Sequence, residues 1–85
     1  MKNLKIIPRS IIKKGNLRRV DISAYNEKST HYNLSVYKGE ECVAKAPFAL
    51  SSGDSTATLW LGLPDEDFEA RFVISDISGN TVSDT

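Results

Sequence analysis

The chain has 85 residues, 40% of them apolar and 26% charged, with 11 basic residues balanced by 11 acidic ones. Such a length supports one domain burying roughly 60–65% of its unfolded surface, so most apolar residues are needed inside. A single cysteine, Cys42, excludes an intrachain disulfide and a cysteine-built metal cluster, and the first apolar run stops at Pro8, too short for a signal h-region or a membrane span.

Period-2 alternation dominates, and no window longer than about ten residues carries a helical period. Residues 4–7 form a short first strand that Pro8 should stop, with Ile11 and Ile12 resuming it as the second half of a split strand. Residues 13–16 (KKGN) make a turn. Residues 17–24 then alternate, with Val20, Ile22 and Ala24 inward and Arg19, Asp21 and Ser23 outward. After a turn at 26–29, Tyr32, Leu34 and Val36 share one face of the next strand, and His31, Asn33, Ser35 and Tyr37 the other.

A Lys38-Gly39-Glu40 turn joins this strand to residues 42–46 in a hairpin, and Pro47 marks the partner as an edge strand. Residues 51–54 turn the chain into a strand at 55–62. Pro64 and the acidic residues after it lead into a strand at 67–75, and a short one follows at 80–83. About seven strands at 8–12-residue spacing predict an all-β, two-sheet antiparallel sandwich. A small β-barrel of equal strand number is the alternative.

The zero net charge is unevenly spread. Residues 1–19 contain Lys2, Lys5, Arg9, Lys13, Lys14, Arg18 and Arg19 and no acid, whereas residues 51–85 carry acids against Arg71 alone. This asymmetry suggests oppositely charged terminal strands lying side by side and pairing weakly. The sharper reading is a basic patch for nucleic acid or an acidic lipid surface, with Lys13, Lys14, Arg18 and Arg19 as the nucleic-acid contacts. It ranks below the first, because no interleaved arginine–aromatic pattern accompanies the charges.

Few residues suit catalysis. His31 is the lone histidine and falls on an outward strand position; Cys42 follows two glutamates, which disfavour a thiolate. Ser51, Ser52 and Ser55 read as turn residues capping local N–H groups. Asp65, Glu66 and Asp67 cluster without the spacing of a calcium loop. We therefore expect no enzyme, no cofactor and no metal. In residues 56–62, Ala57, Leu59 and Leu61 face one way and Thr56, Thr58 and Trp60 the other. Burying two leucines outweighs burying one indole, so Trp60 should lie on the outer surface. Thr56, Thr58 and Trp60, extended by Tyr37, form the candidate contact surface.

The stretch "LPDEDFEARFVISDISGN" and the Gly-Asp turn of "LSSGDSTATLWL" resemble the last strands and a preceding turn of immunoglobulin-like or fibronectin-III-like modules. The chain lacks a core cysteine pair and a tryptophan on its third strand, and Phe68 stands where a tyrosine corner would place its hydroxyl. The resemblance implies a single sandwich domain (residues 1–85) serving as an accessory or spacer module. The ending just beyond the last strand suggests the N-terminal piece of something longer, such as a multidomain bacterial carbohydrate-active enzyme. The expected partner is a neighbouring domain, another protein or a second copy, met through the Trp60 face or the Pro47 edge; no membrane partner is expected. A phage or other assembly's self-associating subunit is the rival. If Met1 is the native start, a cytoplasmic location follows.

Overall fold

A computed structural model describes the backbone of residues 1–14, 17–64 and 68–84, and the side chains of residues 1–7, 17–64 and 68–84. Its strands are β1 (Lys2–Lys14), β2 (Leu17–Asn26), β3 (Thr30–Lys38), β4 (Glu41–Leu50), β5 (Gly53–Gly62), β6 (Ala70–Asp76) and β7 (Thr81–Asp84). They make two antiparallel sheets, ordered β1-β2-β5 and β4-β3-β6-β7. The sheets do not close into a barrel, so the sandwich expectation holds.

Register explains which side chains are buried. In the three-stranded sheet Val20 lies opposite Leu59 and Ile22 opposite Ala57. In the four-stranded sheet Leu34 is flanked by Ala46 and Ile74, and Val36 by Ala44 and Phe72. Side chains one position apart point to opposite faces, so both central strands present their branched residues to the space between the sheets. Val20, Ile22, Leu34, Val36, Leu50 and Ile74 are all fully buried there. Each such burial stabilises by about 1.5–3 kcal/mol. Tyr32 stacks on Phe48 with centroids 5.5 Å apart. Its hydroxyl donates to Asn26 Oδ1 at 2.6 Å, a buried tie between β3 of one sheet and β2 of the other.

Two hairpin turns follow from local chemistry. Lys38 pairs with Glu41, leaving a two-residue loop with Gly39 at φ 62° in its first position; this is the type II′ geometry, whose twist matches the strands. After β6, the Asp76 carbonyl accepts from Gly79 N–H at 3.1 Å, with Gly79 at φ 90°. Asp76 Oδ1 also accepts from the N–H groups of Ser78 (3.0 Å) and Asn80 (2.9 Å). An aspartate and a glycine three residues on therefore define the loop.

Several expectations change. β1 runs without a break through Pro8, which pairs with Val20; as an edge strand it has one unpaired side, where a missing N–H costs no ladder bond. The terminal strands are not neighbours: β1 hydrogen-bonds to β2 and β7 to β6, in different sheets. Asp84 is instead met by Arg71 of β6 at 3.0 Å. β4 continues through Pro47 to Leu50, again on an edge. β6 starts at Ala70 rather than at 67, because β3 ends at Lys38 and offers no ladder partner further back. Phe68 still packs against the core from outside the strand. The turn at Gly15 and Asn16 and the acidic cluster at 65–67 lie outside the described residues.

Candidate contact surface on the three-stranded sheet

β5 pairs with β2 over ten consecutive positions with no register shift. That regularity carries the alternation of β5 through its length, with Leu61 buried at 3% and Trp60 beside it 47% exposed. Thr56 and Thr58 share the outer face with Trp60 and are exposed. The same ladder places Arg19 opposite Trp60, Asp21 opposite Thr58 and Ser23 opposite Thr56. From β1, Ile7 lies opposite Asp21 and Lys5 opposite Ser23.

Hydrogen bonds join these side chains into a lattice. Arg19 Nε donates to Asp21 Oδ1 at 3.1 Å and Nη2 to Oδ2 at 3.3 Å, a forked contact. Thr58 Oγ1 donates to Asp21 Oδ1 at 2.9 Å, and the Ser23 and Thr56 hydroxyls are 2.8 Å apart. Asp21 points outward yet is only 6% exposed, because it sits on the central strand beneath a neighbour from each side. A carboxylate so enclosed needs paired donors, and Arg19 and Thr58 supply them. The result is a face with hydrogen-bonded hydroxyls, one neutralised ion pair, and three partly exposed apolar side chains: Trp60, Ile7 and Tyr25.

Tyr37 does not belong to this face. It lies on the outer side of the other sheet, opposite Arg71, whose guanidinium carbon stands 4.9 Å from the ring centroid. The predicted surface is therefore split across the two sides of the sandwich. Within the expected basic patch, Arg18 and Arg19 take opposite faces of β2. Arg18 pairs opposite buried Leu61 and so takes the core-facing side, while Arg19 on the outer side is committed to Asp21. The side chains of Lys13 and Lys14 lie outside the described ones. His31 is exposed, as expected for an outward strand position, and Cys42 is an exposed free thiol. Of the serines expected to cap local N–H groups, Ser55 does so, its Oγ accepting from Ser51 N–H at 3.1 Å; Ser52 takes part through its backbone, its N–H donating to Ser29 Oγ at 3.3 Å, 23 positions away.

No family model, curated protein or solved structure matches this chain. Among the described residues, no group of three or more His, Cys, Asp or Glu is placed to hold a metal ion, and no helix is long and apolar enough to cross a membrane.

Two participants are missing from the sequence-derived surface. Arg19 and Asp21, two apart on one strand, were legible as same-face neighbours of opposite charge. Their joint action with Thr58 depends on a strand 37 positions away and leaves no local signal.

Proposed function

We propose that this chain is a non-catalytic contact module, an immunoglobulin-like or fibronectin-III-like sandwich. Its working surface is the outer face of the three-stranded sheet around Trp60. One observation carries the reading: an indole 47% exposed beside side chains already fixed by hydrogen bonds. A tryptophan side chain can bury 150–250 Å², so covering the exposed half on binding is worth about 2–3 kcal/mol. The fixed lattice lowers the ordering cost of association, because its side chains have little rotamer freedom left to lose.

The family reading is supported by seven strands in two antiparallel sheets and by chain crossings between sheets after β2, β4 and β5. Constant-type immunoglobulin domains group the fourth strand with the first, second and fifth. Here β4 joins β3, which favours the fibronectin-like branch. In this reading the chain is an accessory or spacer unit that meets a neighbouring domain or protein through its β5 side.

The test compares adjacent residues of β5 by urea unfolding at low protein concentration. Leu61→Ala should cost about 2–5 kcal/mol as a core truncation. Trp60→Ala should cost less than about 1 kcal/mol, because that side chain serves contact rather than the fold. If Trp60→Ala destabilises as much as Leu61→Ala, Trp60 is a structural residue and the reading fails.

A further inference from the structure

We propose that β5 is a docking edge for a second copy of this chain, the two β5 strands pairing antiparallel across a two-fold axis to continue the sheet. The proposal rests on the contact-module reading and names the partner of the same region.

A sandwich of this kind has four edge strands, and each exposes unpaired N–H and C=O groups that can template another strand. Three of the four are blunted. β1 contains Pro8, five Lys or Arg residues and two register shifts against β2. β4 contains Pro47 and Lys45 and a bulge between its pairings with Val36 and Tyr37. β7 is only four residues long. β5 has none of these protections: ten residues, no proline, no basic residue, and an unbroken ladder on its paired side. Among the described residues, no strand pairs with its other side. The edge marked by Pro47 in the sequence is thus the protected one, and the open edge is the strand that carries Trp60.

The choice of a second copy follows from charge and register. Asp54 is the lone charged residue of β5 and lies near its start. Antiparallel self-pairing sends it to the far end of the partner strand, so like charges never oppose. Residues on one face must oppose residues of that face. The two registers that pair most of the strand centre the axis on Ala57 or on Thr58. In the first, Thr56 faces the partner's Thr58. In the second, Thr58 faces the partner's Thr58 and Thr56 faces the partner's Trp60. Threonine–threonine and aromatic–β-branched cross-strand pairs are favourable ones. An isologous pairing of this type closes as a dimer instead of propagating. It yields a continuous six-stranded sheet with the lattice of Arg19, Asp21 and Thr58 repeated on both halves.

The experiment combines sedimentation velocity with amide hydrogen exchange on the unaltered chain, from about 10 μM to about 1 mM, where even a weak self-association shows. The expected result is a concentration-dependent dimer, with exchange slowed about tenfold or more in β5 and unchanged in β1, β4 and β7. The double variant Thr56→Lys/Thr58→Lys sets lysines against each other in either register and should be a folded monomer at the highest concentration. The proposal is overturned by a monomer throughout, by protection that falls on another edge, or by a dimer that survives in the folded double variant. If that variant does not fold, the exchange map of the unaltered chain decides alone. A monomer together with a near-neutral Trp60→Ala would refute self-pairing and leave the contact face for a different protein. A strongly destabilising Trp60→Ala would instead remove the contact-module reading itself.

Discussion

Tyr32→Phe removes one oxygen from the interior and should cost more than its size suggests. The hydroxyl donates to Asn26 Oδ1 at 2.6 Å, and both residues are buried. The ring itself can stay stacked on Phe48, so no cavity term is added. What is lost is the net hydrogen bond, with the desolvation cost of an Asn26 carbonyl left buried and unmet, together about 1–3 kcal/mol. Among the described residues Asn26 Nδ2 has no hydrogen-bond partner either, so the variant leaves both ends of this amide unsatisfied there. For a chain of this length total stability is about 4–13 kcal/mol, and the loss is a sizeable part of it. Urea unfolding followed by circular dichroism, with thermal melting alongside, measures it; the midpoint should fall by about 4–8 °C per kcal/mol. A double-mutant cycle with Asn26→Ala isolates the pair, because removing both partners should cost less than the sum of the single changes. A Tyr32→Phe variant within about 0.3 kcal/mol of the parent, or single effects that simply add, would refute the inter-sheet tie.

Other outcomes follow from burial and backbone. Leu34→Ala, at the centre of the core, should cost about 2–5 kcal/mol by chemical denaturation, whereas Ile77→Ala, 79% exposed on the β6–β7 loop, should stay within about 0.5 kcal/mol. Gly79→Ala should destabilise by about 1 kcal/mol or more, since φ is 90° there although nothing crowds the added methyl. Gly62→Ala, with equal space and no left-handed φ, should be near neutral in the same melting assay. Arg19 is held by Asp21 and Arg18 faces the core side, so a short DNA duplex should show no binding by fluorescence anisotropy even at about 50 mM salt. Binding that falls steeply with added salt would restore the nucleic-acid reading.

Much of this molecule was legible in one dimension because strand faces alternate with a period of two whatever the neighbours are. Val20, Ile22 and Ala24, then Tyr32, Leu34 and Val36, could be assigned inward from that period alone, and all are buried. The same reasoning put Trp60 outside. Turn chemistry is also local: Gly39 and the Asp76–Gly79 loop follow from which residues tolerate a left-handed backbone or cap their own N–H groups. Strand ends were less legible. Pro8 read as a stop and Pro47 as the mark of an edge strand; β4 is such an edge, yet both prolines sit inside strands, because a proline is costly only where its neighbour strand needs the missing donor.

Beyond the β3–β4 hairpin, whose turn the sequence marks, pairing was not legible. Which strands adjoin is decided by contacts between residues tens of positions apart, and no local preference encodes them. Only the tertiary structure separated β1 from β7, which pair in different sheets. It placed Tyr37 and Trp60 on opposite sides of the sandwich, and sent Arg18 and Arg19 to opposite faces of one sheet. It also drew Thr58 beside Asp21 and left β5, alone among the long strands, with an open and unguarded edge. The sequence by itself determined the class of fold and the face on which each side chain lies. The surface those faces compose, and the edge that could extend it, exist only once the ladders have formed.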